Sequence, residues 1–223
     1  MHRYINNISK IKIILTFLCF NLLSCVYFNT FYNAENSFKK ANEIIDNDSS
    51  SNYDNNDIST TAKKLLKESI ASSNIILTKY SDSKYVDDAI YYMGRSYFSL
   101  SEFYKAEKYF NQLVNEHPKS EYYNEARLWL EYSHLKLNIL DSTFTNILLI
   151  QNEFDSEEQD EKLFFLLHNL KGDLFIELKE FEKAFIEFEK ALNFINSKSK
   201  KTMIYSKLAY ISETEYKFEK AVD

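Results

Sequence analysis

The sequence predicts an all-α protein built as a solenoid of helix–turn–helix units. Three observations lead there. The first is the scarcity of chain breakers, since 223 residues contain only two glycines and one proline. Sheets closed by tight hairpins use more glycine than that, although Asn and Asp can serve some turns, so long helices joined by short turns are favoured. The second is self-similarity. "SKYVDDAIYYMGRSYFSL" from Ser83 and "SEYYNEARLWLEYSHLKL" from Ser120 align at a spacing of 37 residues, with Tyr85 on Tyr122, Ala89 on Ala126, Tyr92 on Trp129 and Ser96 on Ser133. "FEKA" at 181 and at 218 repeats at the same spacing. The third is the placement of the two glycines. Gly94 and Gly172 each stand three residues before an aromatic (Tyr97, Phe175), twelve before an alanine (Ala106, Ala184) and sixteen before a phenylalanine (Phe110, Phe188). A glycine inside a helix costs about 1 kcal/mol relative to alanine. Its use at one repeat position therefore predicts that two helices approach closely there, Gly on one against Ala on the other.

Taken in chain order, residues 1–24 read as a secretory signal. Arg3, Lys10 and Lys12 open the chain without an acid, and Ile13 to Leu23 is then almost wholly apolar. That run is shorter than the ~20 residues a spanning helix needs, and a small residue precedes the expected cut. Leu22-Leu23-Ser24-Cys25 resembles the lipobox of bacterial lipoproteins. That resemblance implies a diacylglyceryl-modified Cys25 as the new N-terminus and a lipid-anchored protein. Several acyl chains at ~0.8 kcal/mol per buried CH₂ would anchor it stably. Cys19 would leave with the signal, so no thiol remains for a disulfide framework. Val26, rather than Asp, after the cysteine implies the outer membrane and its periplasmic side.

Residues 25–45 then read as the lipidated N-terminus and a first helix. Phe31, Ala34, Phe38, Ala41 and Ile45 are spaced 3, 4, 3 and 4, one apolar stripe. The stripe is expected to dock on the first repeat; the rival reading is an interfacial helix lying on a membrane. Residues 46–60, with "DNDSSSNYDNND", form an acidic Ser/Asn loop. Thr61–Tyr80 reads as one helix of an early unit, and 61–223 as the repeat array.

The spaced pattern resembles the tetratricopeptide repeat, a helix–turn–helix of about 34 residues with small residues at the helix crossing. Residues 87–120 carry it best, through Ile90, Met93, Gly94, Tyr97, Ala106, Phe110 and Pro118. Residues 165–198 carry a shorter match, with Gly172, Phe175, Ala184 and Phe188, and no proline. Residues 138–160 are degenerate, and "DSEEQDEK" reads as a small insertion. Asp223 follows the second "FEKA", inside what the alignment makes a second helix, so the sequence is expected to be a piece of a longer reading frame.

Composition and motifs exclude other classes. A formal net charge of −6 and a pI near 5.4 leave no basic footprint for nucleic acid. His2, His117, His134 and His168 are scattered, with no HExxH, no CxxC and no G-x-S-x-G. Neither an enzyme, a metal site nor a cofactor is expected. The repeat resemblance implies instead a protein-binding groove made by the first helix of each unit, with Tyr92, Arg95, Phe98, Trp129 and Tyr132 at inward positions. The family's carboxylate clamp needs Lys and Asn at set positions, and only Arg95 stands there. A lipobox ahead of such repeats, with the joints "KYSDSKY" and "HPKSEYY", is similar to the BamD-type lipoproteins. That implies a scaffold for outer-membrane protein assembly, whose partners are envelope proteins such as a barrel assembly protein. The alternatives are a periplasmic envelope-binding module and an accessory subunit of secretion or motility machinery.

Overall fold

The computed structural model describes residues 28–47, 58–154 and 160–222, with side chains in the last helix as far as Thr214. The signal segment, Cys25, most of the acidic loop and the 155–159 part of the insertion lie outside the described residues. Within them the chain is helical throughout: α1 (28–47), α2 (Thr60–Lys79), α3 (Val86–Ser99), α4 (Phe103–Glu116), α5 (Tyr123–Lys136), α6 (Leu140–Phe154), α7 (Glu161–Glu177), α8 (Phe181–Leu192) and α9 (Lys198–Val222). These pair as hairpins, α1 with α2 through α7 with α8, and each hairpin packs on the next. Among helices of like position, first helices meet directly, α3 with α5 and α5 with α7. The first helices therefore form the inner layer of a solenoid.

The apolar stripe of α1 is a docking face. Ala34, Phe38 and Ala41 are buried. The Ser69 hydroxyl of α2 donates to the Ala34 carbonyl at 2.8 Å. Phe31 stacks on Tyr85 with ring centroids 4.0 Å apart, and Phe38 packs against Tyr91 and Tyr92. The interfacial-helix alternative would leave this face uncovered by protein.

A chain with two glycines turns at the hairpin tips by another device. Ser101, Asn138 and Lys179 have φ of 60°, 62° and 59° and follow the ends of α3, α5 and α7. At each tip the next residue's amide bonds back across the last turn, Glu102 to the Tyr97 carbonyl, Ile139 to that of His134 and Glu180 to that of Phe175. The left-handed residue's own amide bonds to the carbonyl of Phe98, Leu135 or Ile176. This is the Schellman arrangement, which satisfies orphan carbonyls at a helix end and usually employs glycine. Entry into α3 and α5 is equally regular. Ser83 and Ser120 hydroxyls accept from the amides of Tyr85 and Tyr122, at 2.9 and 3.2 Å.

Both glycines mark close approaches, and the nearest neighbour in each is a phenylalanine. A β-carbon on Gly94 would stand 2.7 Å from the Phe110 ring, and one on Gly172 would stand 2.4 Å from the Phe188 ring. Each glycine makes room for a fully buried phenylalanine of the following helix. The flat ring is what stands closest to the glycine, and the alanine one turn earlier on the same helix is fully buried beside it. The middle unit solves the crossing differently. The register position of Gly94 holds Glu131, and that of Phe110 holds the smaller Ile147. This is the degenerate stretch, and α6 leaves Phe144, Leu148 and Leu149 partly exposed.

At the C-terminal end the repeat alignment fails. It places a turn before the second "FEKA", whereas α9 runs unbroken from Lys198 to Val222. The slot corresponding to Lys179 holds Tyr216, a bulky residue poorly suited to positive φ.

Candidate interaction surface

α7 is the centre of the inner layer. Every residue from Phe164 to Ile176 is buried, including His168, Asn169, Lys171 and Asp173. Burying charges without partners costs several kcal/mol each, so polar groups on such a helix must be answered by neighbours. They are. His168 Nδ1 lies 2.7 Å from Glu187 Oε2, and Lys171 Nζ lies 3.0 Å from Glu187 Oε1 and donates to Gln151 at 2.9 Å. Burial alone would raise the Glu187 carboxyl, but hydrogen bonds from His168, Lys171 and Lys190 hold it down at about 2.

The five residues expected to face a partner are brought together, in a packed seam across α3, α5, α7 and α9. Tyr92 is 3 % exposed and Tyr132 5 % exposed, so these two lie in the interior and do not line an open groove. Tyr92's hydroxyl stands 3.3 Å from that of Tyr122 and donates to Glu35 at 3.4 Å. Burial first, then the bond to Tyr122, pushes the Tyr92 phenol far above its ordinary range, and burial pushes Tyr122 up to about 12. Arg95 Nη1 donates to Tyr91 at 2.7 Å and to Glu125 at 2.9 Å, and its guanidinium lies 3.9 Å from the Trp129 ring centroid. Phe98 meets Trp129 and Tyr132 edge-on, at 4.8 and 5.7 Å. Tyr132 donates to Asp173 and accepts from Asn169, both at 2.5 Å. Lys207 of α9 then closes the row on Asp173 at 2.6 Å.

Two carboxylates missed in the sequence hold this seam together. Glu125 receives the Tyr91 hydroxyl, Arg95, the Trp129 indole at 3.2 Å and Lys162 at 2.5 Å. Burial would raise its carboxyl, yet Arg95 and Lys162 bring it below its usual range. Asp173 bridges Tyr132 and Lys207 in the same seam. The sequence did carry a signal for Glu125, because Asp88 stands at the same register position one unit earlier. A carboxylate repeated on an otherwise apolar helix face calls for a partner.

Arg95 is already paired with Glu125, so it is not free to serve the carboxylate clamp that the repeat resemblance brought into question. Among the described residues no group of three His, Cys, Asp or Glu is placed to hold a metal ion. Among them also, no helix is long and apolar enough to cross a membrane.

Comparison with known proteins fits this geometry. The family described as tetratricopeptide repeat matches residues 88–120, the span of α3, α4 and the joint into α5. No curated protein and no solved structure matches the chain. The fold is an all-α helical solenoid of the tetratricopeptide type, an architecture that serves as a scaffold for protein–protein interaction.

Proposed function

We propose that this chain is a lipid-anchored, periplasm-facing scaffold of the outer membrane that binds envelope proteins during the assembly of outer-membrane barrels. The observation that carries the reading is Leu22-Leu23-Ser24-Cys25, followed within three residues by α1. A diacylglyceryl group on Cys25 would tether the solenoid with almost no linker, since α1 docks on α2 and α3. The joints "KYSDSKY" and "HPKSEYY" support the BamD-like form of the reading. Their serines make the same cap at the entry of α3 and α5. The partly buried edges of Arg95, Phe98 and Trp129 are the aromatic and arginine groups that most often dominate interfaces.

The test has two parts. Cys25→Ser should move the full-length protein from the membrane fraction to the soluble one and abolish labelling with a palmitate analogue. Pull-down from solubilised membranes of the native host should yield a barrel protein with periplasmic domains in stoichiometric amount. Labelling that persists in Cys25→Ser overturns the anchor. Recovery of peptidoglycan-associated or motor components in place of a barrel overturns the assembly role.

A further inference from the structure

Asp88 and Glu125 occupy the same register position in α3 and α5, and their surroundings are opposite. Glu125 is met by the cations of Arg95 and Lys162. Counted back from the shared crossing position, Glu131 in α5 and Gly172 in α7, the slot of Lys162 is held one unit earlier by Glu121. The charged groups acting most strongly on Asp88 are Asp87, Glu121 and Glu35, all acids. Glu35 belongs to α1 and its nearest cation, Lys39, is already bound to it at 2.7 Å. Lys84 lies over the Tyr85 ring, 4.8 Å from its centroid. Glu116, His117 and Lys119 share a groove with Asp87 at the outer edge of the same joint. The remaining neighbours with titratable groups are the Tyr92 and Tyr122 hydroxyls, 3.3 Å apart. Among the described residues no cation lies within ion-pair distance of Asp88.

The position of Asp88 ties this imbalance to α1. Tyr85, Asp88 and Tyr92 are spaced by three and four residues and so share one helix face. Phe31 of α1 lies on that face, stacked on Tyr85 and tilted against Tyr92. We propose that Asp88 makes the seating of α1 pH-dependent: a neutral carboxyl lets α1 close on α3 and α5, and a charged one loosens it. Asp88 stands in the first turn of α3, where a negative charge gains about 0.3–1 kcal/mol from the helix dipole. Burial and the three acids outweigh that gain and raise its carboxyl from 3.8 to about 6. The sign follows. Glu35 and the burial that α1 adds are lost when α1 lifts, while Asp87 and Glu121 remain, so the seated state binds the proton more tightly by that part of the shift and gains stability as pH falls below about 6.

The experiment is amide hydrogen exchange on the full chain between pH 5.0 and 7.5, with rates expressed as protection factors to remove intrinsic pH dependence. Amides in 34–45 should be better protected at pH 5.0 than at 7.5, by roughly two- to threefold, because the carboxyl is partly exposed and Asp87 and Glu121 stay beside it when α1 lifts. Asp88→Asn should give the high protection at every pH, and Glu121→Gln should move the midpoint to lower pH. Amides of α7 serve as the reference for global stability and should stay level. Protection of α1 that is flat with pH in the wild type overturns the proposal. So does an unchanged pH profile in Asp88→Asn, or a parallel rise in α1 and α7.

Discussion

Phe188 lies so close over Gly172 that a β-carbon on the glycine would stand 2.4 Å from its ring. Two opposing effects meet at this site. Alanine is favoured over glycine inside a helix by about 1 kcal/mol, while forcing a methyl into a filled core typically costs about 1–3 kcal/mol. Phe188 is fully buried and its ring is rigid, so it cannot swing aside at little cost. Gly172→Ala should lower stability in chemical denaturation, and Gly94→Ala, where the approach is 2.7 Å, should do so by less. A higher denaturation midpoint for Gly172→Ala would show that the crossing relaxes freely.

The hairpin tips lead to the opposite expectation for glycine. Lys179 and Ser101 are held at positive φ, a conformation costing non-glycine residues about 1–2 kcal/mol. Lys179→Gly and Ser101→Gly should each stabilise the protein by about 0.5–1 kcal/mol, the relief being partly offset by a more flexible unfolded chain. Asn138→Gly should gain less, because asparagine tolerates this region. Thermal melts of the three variants check the order.

Around Glu125 the two ends of one ion pair should respond unequally. The Lys162 side chain is 63 % exposed and that of Glu125 is 7 % exposed. Lys162→Ala removes a largely solvated partner and should cost under about 1 kcal/mol. Glu125→Ala strands Arg95 and the Tyr91 hydroxyl in the seam and should cost about 3–5 kcal/mol. Equal losses in urea titration would mean that the seam does not depend on this carboxylate.

Acid should weaken the α7–α8 hairpin through Glu187. Its carboxyl is lowered from 4.5 to about 2 in the folded protein. A depressed carboxyl contributes stability that is fully present above the unfolded value and disappears as pH falls through the folded one. The stability difference between the wild type and Glu187→Gln should therefore be constant above pH about 5 and shrink as pH falls from 4.5 toward 2. A difference that stays constant to pH 2.5 would remove Glu187 from the account of acid sensitivity.

The hairpin architecture was legible in the sequence because it depends on local rules. The apolar spacing in 31–45, the Ser83 and Ser120 joints and the recurrence of Gly94 and Gly172 all act within one or two helices. The nearest partner of each glycine was not legible, because a one-dimensional offset lists alanine and phenylalanine alike and does not say which comes closest at the crossing. Short turns were expected and are present, but spacing along the chain did not say which residues would take the left-handed conformation that Ser101, Asn138 and Lys179 adopt.

Local sequence, then, determined the helices, their pairing into hairpins and the docking stripe of α1, since propensity, capping and periodicity are properties of neighbouring residues. Only the tertiary structure decided what the inner face is made of. Tyr92 and Tyr132 lie at inward positions in any such repeat. Whether an inward position is groove or core depends on how closely the first helices stack. Here Arg95, Glu125 and Lys162, then Tyr132, Asp173 and Lys207, come from three helices in each set and pair with one another across gaps of 2.5 to 2.9 Å. No spacing along the chain encodes that meeting, because Coulomb energy and hydrogen-bond geometry depend on distance in space.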